Sequence, residues 1–266
     1  QVFFGYSREE IHHLLLPMAQ EGKEVVSSMG NDTPLAVFSK EPQLLFNYFR
    51  QLFAQVTNPA IDPLREYQVM SLTSWLGPQI PLAPLEQSKS NWRIECSGPI
   101  LSEQELENII QWRPEGENQW VAERLSLLYT FKNASTESGQ TLEDALENLL
   151  HQTDLAVNQG VSCLVLSDQG IHSSQMSIPS LLAVSAVHQH LIRQNLRSHV
   201  DLVIESGEPR SVHHMACLLG FGASAIVPYL AYQIICSNSN DQKTNAVHLE
   251  KYRKALGAGL LKIFSK

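Results

Sequence analysis

Apolar residues recur at helical spacing in the first third of the chain and collect into short β-branched runs in the second half. Ser7 followed by Glu10 forms a capping box, and Ile11, Leu14, Leu15 and Met18 share one face, so a helix is predicted from Ser7. A second helix is predicted from about Pro42, where Leu44, Leu45, Tyr48, Phe49, Leu52 and Phe53 make a broad apolar stripe. A third starts at Pro63 behind Asp62 as cap, carries Leu64, Val69, Leu72 and Leu76, and stops at Gly77-Pro78. Residues 77–99 hold Pro78, Pro81, Pro84 and Pro99 with little periodicity and read as a loop or short irregular pieces. Ser102 with Glu105 then opens a short helix through Leu106, Ile109 and Ile110.

The pattern changes after residue 124. Runs 125–131, 161–167, 200–206 and 224–227 read as strands. Between them lie a helix opened by Thr141, one from about Ile178 to Gln194, and one near Arg210–Leu219. Short apolar strands alternating with helices indicate parallel strands joined by right-handed crossovers. The predicted fold is therefore α/β: a helical N-terminal part, then about four βα units resembling a partial (β/α)8 barrel or a small open sheet. A last helical pattern from Ala246 to Phe264 runs to the end of the sequence, as expected of a piece of something longer.

Composition narrows the function classes. Of 266 residues 43% are hydrophobic, which excludes a disordered or collagen-like chain. Charged residues are 17%, below the ~25% usual for soluble domains, a hint that other surfaces cover part of this one. A net charge of −8 without a basic stripe argues against nucleic acid and anionic membranes as partners. The longest apolar run, Ala223–Cys236, is interrupted by Ser224, Pro228 and Gln233 and falls short of the ~18–20 residues that span a bilayer. Cys96, Cys163, Cys217 and Cys236 form no CxxC pair, and no secretory pattern opens the sequence, so a reducing cytoplasmic compartment is expected.

Candidate chemistry gathers at strand ends, where barrel folds place their binding loops. Asp168 in SDQG (167–170) and Glu205 in ESGEPR (205–210) are candidate paired carboxylates, and Ser206-Gly207 a candidate anion cradle. Pro228-Tyr229 follows the 224–227 strand where a phosphate site would want glycines, so turn chemistry is the better account of these residues. The adjacent pairs His12-His13 and His213-His214, and His188 with His190, lack the i,i+4 spacing of a helical metal site. No GxSxG elbow occurs.

Two polar loops stand out beside the apolar helices. SMGNDTPLAV (28–37) offers Asn31, Asp32 and Thr33 before Pro34, and QVTNPAIDPLRE (55–66) sets Asn58, Asp62 and Arg65 around two prolines. Each proline holds its predecessor extended, so both loops have a largely preset shape. They serve either as caps and turns or as contact surfaces for another domain.

These segments resemble a known family. SMGNDTPLAV, LFAQVTNPAIDPLRE (52–66), ILSEQELENI (100–109) and LVLSDQGI (164–171) are similar to the central domain of glutamate synthase. So are IPSLLAV with VHQHLIR (178–193), ESGEPRSVHHMACLLGFGASAIVPYLA (205–231) and KALGAGLLKIFSK (254–266), in collinear order. The resemblance implies a large enzyme that makes glutamate from glutamine and 2-oxoglutarate. In that enzyme an amidotransferase domain releases ammonia, and an FMN barrel with a [3Fe-4S] cluster takes electrons from ferredoxin or an NAD(P)H-oxidising subunit. The domain resembled lies between the two, carries no cofactor and helps to hold an internal ammonia path; in a plastid-bearing source it would work in the plastid stroma. Residue 1 is Gln rather than the amidotransferase Cys, and no close trio of cysteines occurs to hold a cluster. The expectation is an excised, non-catalytic connecting domain over 1–266. Its interdomain contacts would include Asn31, Asp32, Thr33, Asn58, Asp62 and Arg65, with Asp168, Glu205, Arg210, His213 and His214 from the strand-end loops. The alternatives are a free-standing flavin- or phosphate-binding barrel using Ser206, Gly207 and Gly222, and a scaffold with exposed apolar faces.

Overall fold

Capping chemistry starts the first helix where the sequence predicts it. In the computed structural model Ser7 Oγ accepts from the Glu10 N–H at 3.0 Å and Glu10 Oε2 accepts from the Ser7 N–H at 3.2 Å, opening α1 (Arg8–Glu10). A π turn (Ile11–Leu15) leads into α2 (Leu16–Glu21). Pro17 has no N–H, and its ring would press on a carbonyl one turn back in a regular helix; the wider turn just before it relieves that conflict. The structure describes residues 1–26, 33–50, 63–79, 93–114, 120–131, 139–238 and 241–265.

The second predicted helix does not form over the described residues. Leu45–Tyr48 is one 3-10 turn without a side-chain cap, and Phe49 is already extended; residues 51–53 lie outside the described residues. Only Phe46 of this turn is buried, so the apolar stripe is not one helical face. Clustered aromatics also gain little from helical backbone. A second 3-10 turn spans Ala36–Phe38. Helix α3 (Pro63–Val69) starts as predicted but ends early, because Ser74–Leu76 is instead β1, paired antiparallel with β2 (Ile94–Cys96). Ser71, Thr73 and Ser74 are poor helix formers, which helps the switch.

Helix α4 (Glu103–Gln111) has the Ser102/Glu105 capping box predicted for it. The predicted 125–131 strand is two strands, β3 (Ala122–Ser126) and β4 (Leu128–Thr130). Buried Leu127 marks the break: its N–H donates to Ser167 O at 2.8 Å and its carbonyl accepts from the Ile178 N–H at 2.9 Å. Then follow α5 (Leu142–Asn158), β5 (Cys163–Ser167), β6 (Gln175–Ser177), α6 (Ser180–Arg193) and β7 (Asp201–Glu205). The chain continues through α7 (Val212–Gly220), β8 (Ala225–Val227), α8 (Tyr229–Ser237) and α9 (Gln242–Ser265). Pro228 divides the apolar run into β8 and α8, and no helix among the described residues is long and apolar enough to cross a membrane.

The chain divides into two units. One holds Thr73–Gly207 with Leu218–Tyr229 and contains a parallel sheet in the order β3-β5-β7-β8. Every residue of β5, β7 and β8 is buried, as expected of parallel strands covered on both faces. Residues 99–101 lie along β8, the Leu101 N–H donating to Ile226 O at 2.9 Å and the Ile226 N–H to Pro99 O at 2.7 Å. The other unit holds Gln1–Leu72, Glu208–Cys217 and Leu230–Lys266, with α2 packed on α9. Gly259 lets α9 approach α7: a Cβ there would stand 2.4 Å from a methyl of Val212.

Gly222, at φ +114°, sits in a tight turn of the sheet unit. A Cβ would lie 2.4 Å from the His188 ring, which is itself held by the Arg197 Nε–H at 2.9 Å. Gly170, at φ +84°, has open space around it. Gly222→Ala should therefore lower unfolding free energy by about 2–4 kcal/mol and Gly170→Ala by about 1 kcal/mol, read by urea titration. Equal losses would mean that the His188 contact does not restrict this turn.

Candidate functional site

The two carboxylates at the strand ends have separate partners. Asp168, just past β5, is fully buried; its Oδ1 accepts from the Gly207 N–H at 2.9 Å and its Oδ2 from the Ser206 hydroxyl in a short bond. Glu205, the last residue of β7, accepts at Oε2 from the Ser167 hydroxyl at 2.7 Å and from Arg124 Nε–H at 3.0 Å. Arg124 Nη2 also reaches Glu205 Oε1 at 3.2 Å and Glu107 Oε1. The Ser206-Gly207 pair thus does hold an acidic group, but that group is the side chain of the chain's own Asp168. A flavin phosphate or other external phosphate does not fit there while Asp168 holds both donors.

Sequence reasoning missed a third carboxylate in this unit. Buried Asp201, the first residue of β7, accepts from the Gly77 N–H at 2.7 Å, the Ser224 hydroxyl at 2.8 Å and Arg197 Nη1–H at 3.4 Å. A charged residue opening the otherwise apolar run DLVI was its one visible signal.

In the other unit the candidates Arg210, His213 and His214 meet the N-terminal segment. The Arg210 guanidinium is buried; Nη1 donates to Phe4 O and Glu208 O, each at 3.1 Å, and Nη2 to Gly5 O at 2.9 Å. Nε and Nη2 also hold the Glu10 carboxylate at 2.9–3.2 Å, and the group lies 4.3 Å over the Tyr6 ring. Its own carbonyl accepts from the Tyr252 hydroxyl at 2.9 Å. His214 stacks on Phe46 at 4.4 Å, and its Nδ1 accepts from the Arg210 N–H at 3.4 Å. Half-buried His213 has Nε2 3.0 Å from Phe46 O and 3.7 Å from Cys217 Sγ. A cavity of about 510 Å³ opens here between Val2, Phe3, Pro42 and Leu44, with Glu10, Arg210 and His214 on its wall.

Thr33 and Arg65 are exposed; Asn31, Asp32, Asn58 and Asp62 lie outside the described residues. Among the described residues no three His, Cys, Asp or Glu side chains are grouped to hold a metal ion.

The family model described as glutamate synthase central domain matches residues 1–266. The chain belongs to that family. It is 43% identical to the glutamate synthase [NADPH] large chain of Bacillus subtilis, covering 100% of this chain and 17% of that one. It is 41% identical to the glutamate synthase [NADH] of Schizosaccharomyces pombe (99% and 12%) and 42% identical to ferredoxin-dependent glutamate synthase 2 of Synechocystis (100% and 17%). The chain therefore spans less than a fifth of the length of these relatives. Among solved structures, a flavocytochrome b2 mutant with pyruvate bound matches 44% of this chain and 29% of its own, at 17% identity and a TM-score of 0.38.

Within this central domain His214 carries a testable pH signature. Burial, then the neighbouring Arg210 and His213, lower its pKa from 6.5 to about 3. The unfolded chain takes up a proton below about pH 6.5 and the folded one only near 3, so stability is complete above 6.5 and falls as pH drops through that window. The slope is at most about 1.4 kcal/mol per pH unit. His214→Phe should flatten unfolding free energy between about pH 6.5 and 5, above most carboxylate titration. An unchanged slope in urea titrations would contradict a buried, neutral His214.

Proposed function

We propose that residues 1–266 are the non-catalytic connecting domain of a glutamate synthase. The domain links a glutamine amidotransferase domain to an FMN-binding synthase barrel and helps to couple ammonia transfer between them. The whole enzyme would form glutamate from glutamine and 2-oxoglutarate, with electrons from ferredoxin or an NAD(P)H-oxidising subunit. FMN and a [3Fe-4S] cluster would belong to the neighbouring barrel, and the enzyme to the cytoplasm or, in a plastid-bearing source, the plastid stroma.

The observation that carries this reading is a collinear match across residues 1–266 in a chain whose strand-end donors are already engaged. Asp168 takes the Ser206 and Gly207 donors, and Glu205 has its own three, so these residues serve the shape of their loops rather than a reacting group. In this reading Asp168, Glu205, Arg210, His213 and His214 keep loops 167–170 and 205–214 in form. Thr33 and Arg65, which are exposed, touch the neighbouring domains together with Asn31, Asp32, Asn58 and Asp62.

Asp62→Ala or Arg65→Ala in the complete polypeptide should lower glutamate formed per glutamine hydrolysed by about two- to fivefold, the effect of one rim contact, with glutamine hydrolysis itself retained. Unchanged coupling in both variants would remove this loop from the interdomain surface.

A further inference from the structure

The N-terminal end of the parallel sheet holds a side-chain cluster that the connecting-domain reading does not use. Arg197 lies in a 3-10 turn (Arg197–His199) between α6 and β7 and joins three parts of the sheet unit. Its Nε–H donates to His188 Nδ1 of α6 at 2.9 Å and its Nη2–H to Gly222 O at 3.0 Å. Its Nη1–H donates to Val200 O at 2.7 Å and to Asp201 Oδ1 at 3.4 Å. Asp201 in turn accepts from the Gly77 N–H and the Ser224 hydroxyl. One guanidinium therefore ties α6, the start of β7 and the turn between α7 and β8.

The bond to His188 fixes the charge of that ring. Nδ1 accepts, so the ring is neutral and its proton is on Nε2. Protonation would set an Nδ1–H against the Arg197 Nε–H, two donors and two positive charges face to face. The ring cannot draw back toward the turn, because a Cβ on Gly222 would already stand 2.4 Å from it. The carboxylates brought by the elements packed on α6 are engaged elsewhere. Asp201 of β7 has Gly77, Ser224 and Arg197, and Asp154 of α5 is bonded to His190 at 2.7 Å. Strand β5 brings only the Cys163 thiol, and His151, Arg193 and His199 are exposed. Burial, then the charge of Arg197, lowers the His188 pKa from 6.5.

We propose that His188 and Arg197 form an acid-sensitive latch on the α7–β8 turn: neutral His188 holds Arg197 on the Gly222 carbonyl, and protonated His188 releases it. An open turn leaves His188 with an ordinary pKa near 6.5, so it takes up a proton that the closed turn refuses. The latch is complete above pH 6.5 and weakens as pH falls below it. It goes beyond the connecting-domain reading and does not depend on it.

Amide hydrogen exchange read by mass spectrometry on the complete polypeptide tests the latch, with rates corrected for the pH dependence of free amides. The N–H groups of Gly222, Ala223 and Ser224 donate to Leu219 O, Leu218 O and Leu202 O, so a peptide over 218–227 reports on the turn. Its protection should fall at least about fivefold from pH 7 to pH 5, while 163–167 of β5 keeps its own. His188→Asn, whose Oδ1 replaces Nδ1 as an acceptor that does not titrate, should hold the turn at both pH values. Constant protection in the unsubstituted polypeptide would overturn the proposal. An equal fall in β5 would also overturn it, as a general loosening. So would an equal fall in the Asn variant, since the titrating group would then be another residue.

Discussion

A carboxylate buried at the end of a parallel strand must be met by donors, and Asp168 is met by the two that an external anion would need there. The Ser206 hydroxyl and the Gly207 N–H bind its two oxygens, and the Asp168 N–H donates to Glu205 O at 3.2 Å. Leaving such a group unpaired would cost several kcal/mol, so the loops after β5 and β7 are fixed to each other. Glu205, one residue before Ser206, extends the arrangement across the sheet through Ser167 and Arg124. The loops after β5 and β7 are thus closed on their own side chains.

Arg210 follows the same rule in the other unit. A buried guanidinium needs its N–H groups satisfied, and Glu10 with three backbone carbonyls does this while fastening residues 4–10 to the 208–214 stretch. Burial, and after it the nearby charge of Arg210, lowers the pKa of His214 and favours its neutral form.

Local chemistry was legible in the sequence and long-range pairing was not. The capping boxes at Ser7 and Ser102 and the helix opening at Thr141 depend on residues three apart, and each forms where expected. The apolar runs that become β5, β7 and β8 were equally plain, since a doubly covered strand leaves little room for polar residues. The 125–131 run misled because its apolar tail belongs to β4, while the charged Glu123 and Arg124 lie inside β3. The described part of the stripe, 42–50, misled because helical spacing alone cannot separate an α-helix from a 3-10 turn with exposed aromatics. Ser206-Gly207 was visible as a pair of donors, but Asp168 is 38 residues away and Glu10 is 200 from Arg210, so neither partnership had a sequence signature.

The strand ends of this domain are closed by the chain itself, with the Ser206 and Gly207 donors held by Asp168. Titration of residues 1–266 with FMN, followed by flavin fluorescence and calorimetry, tests it most directly. The account predicts no saturable binding up to high micromolar flavin. Tight, saturable binding would mean that the strand-end loops form a cofactor site, and would contradict the account.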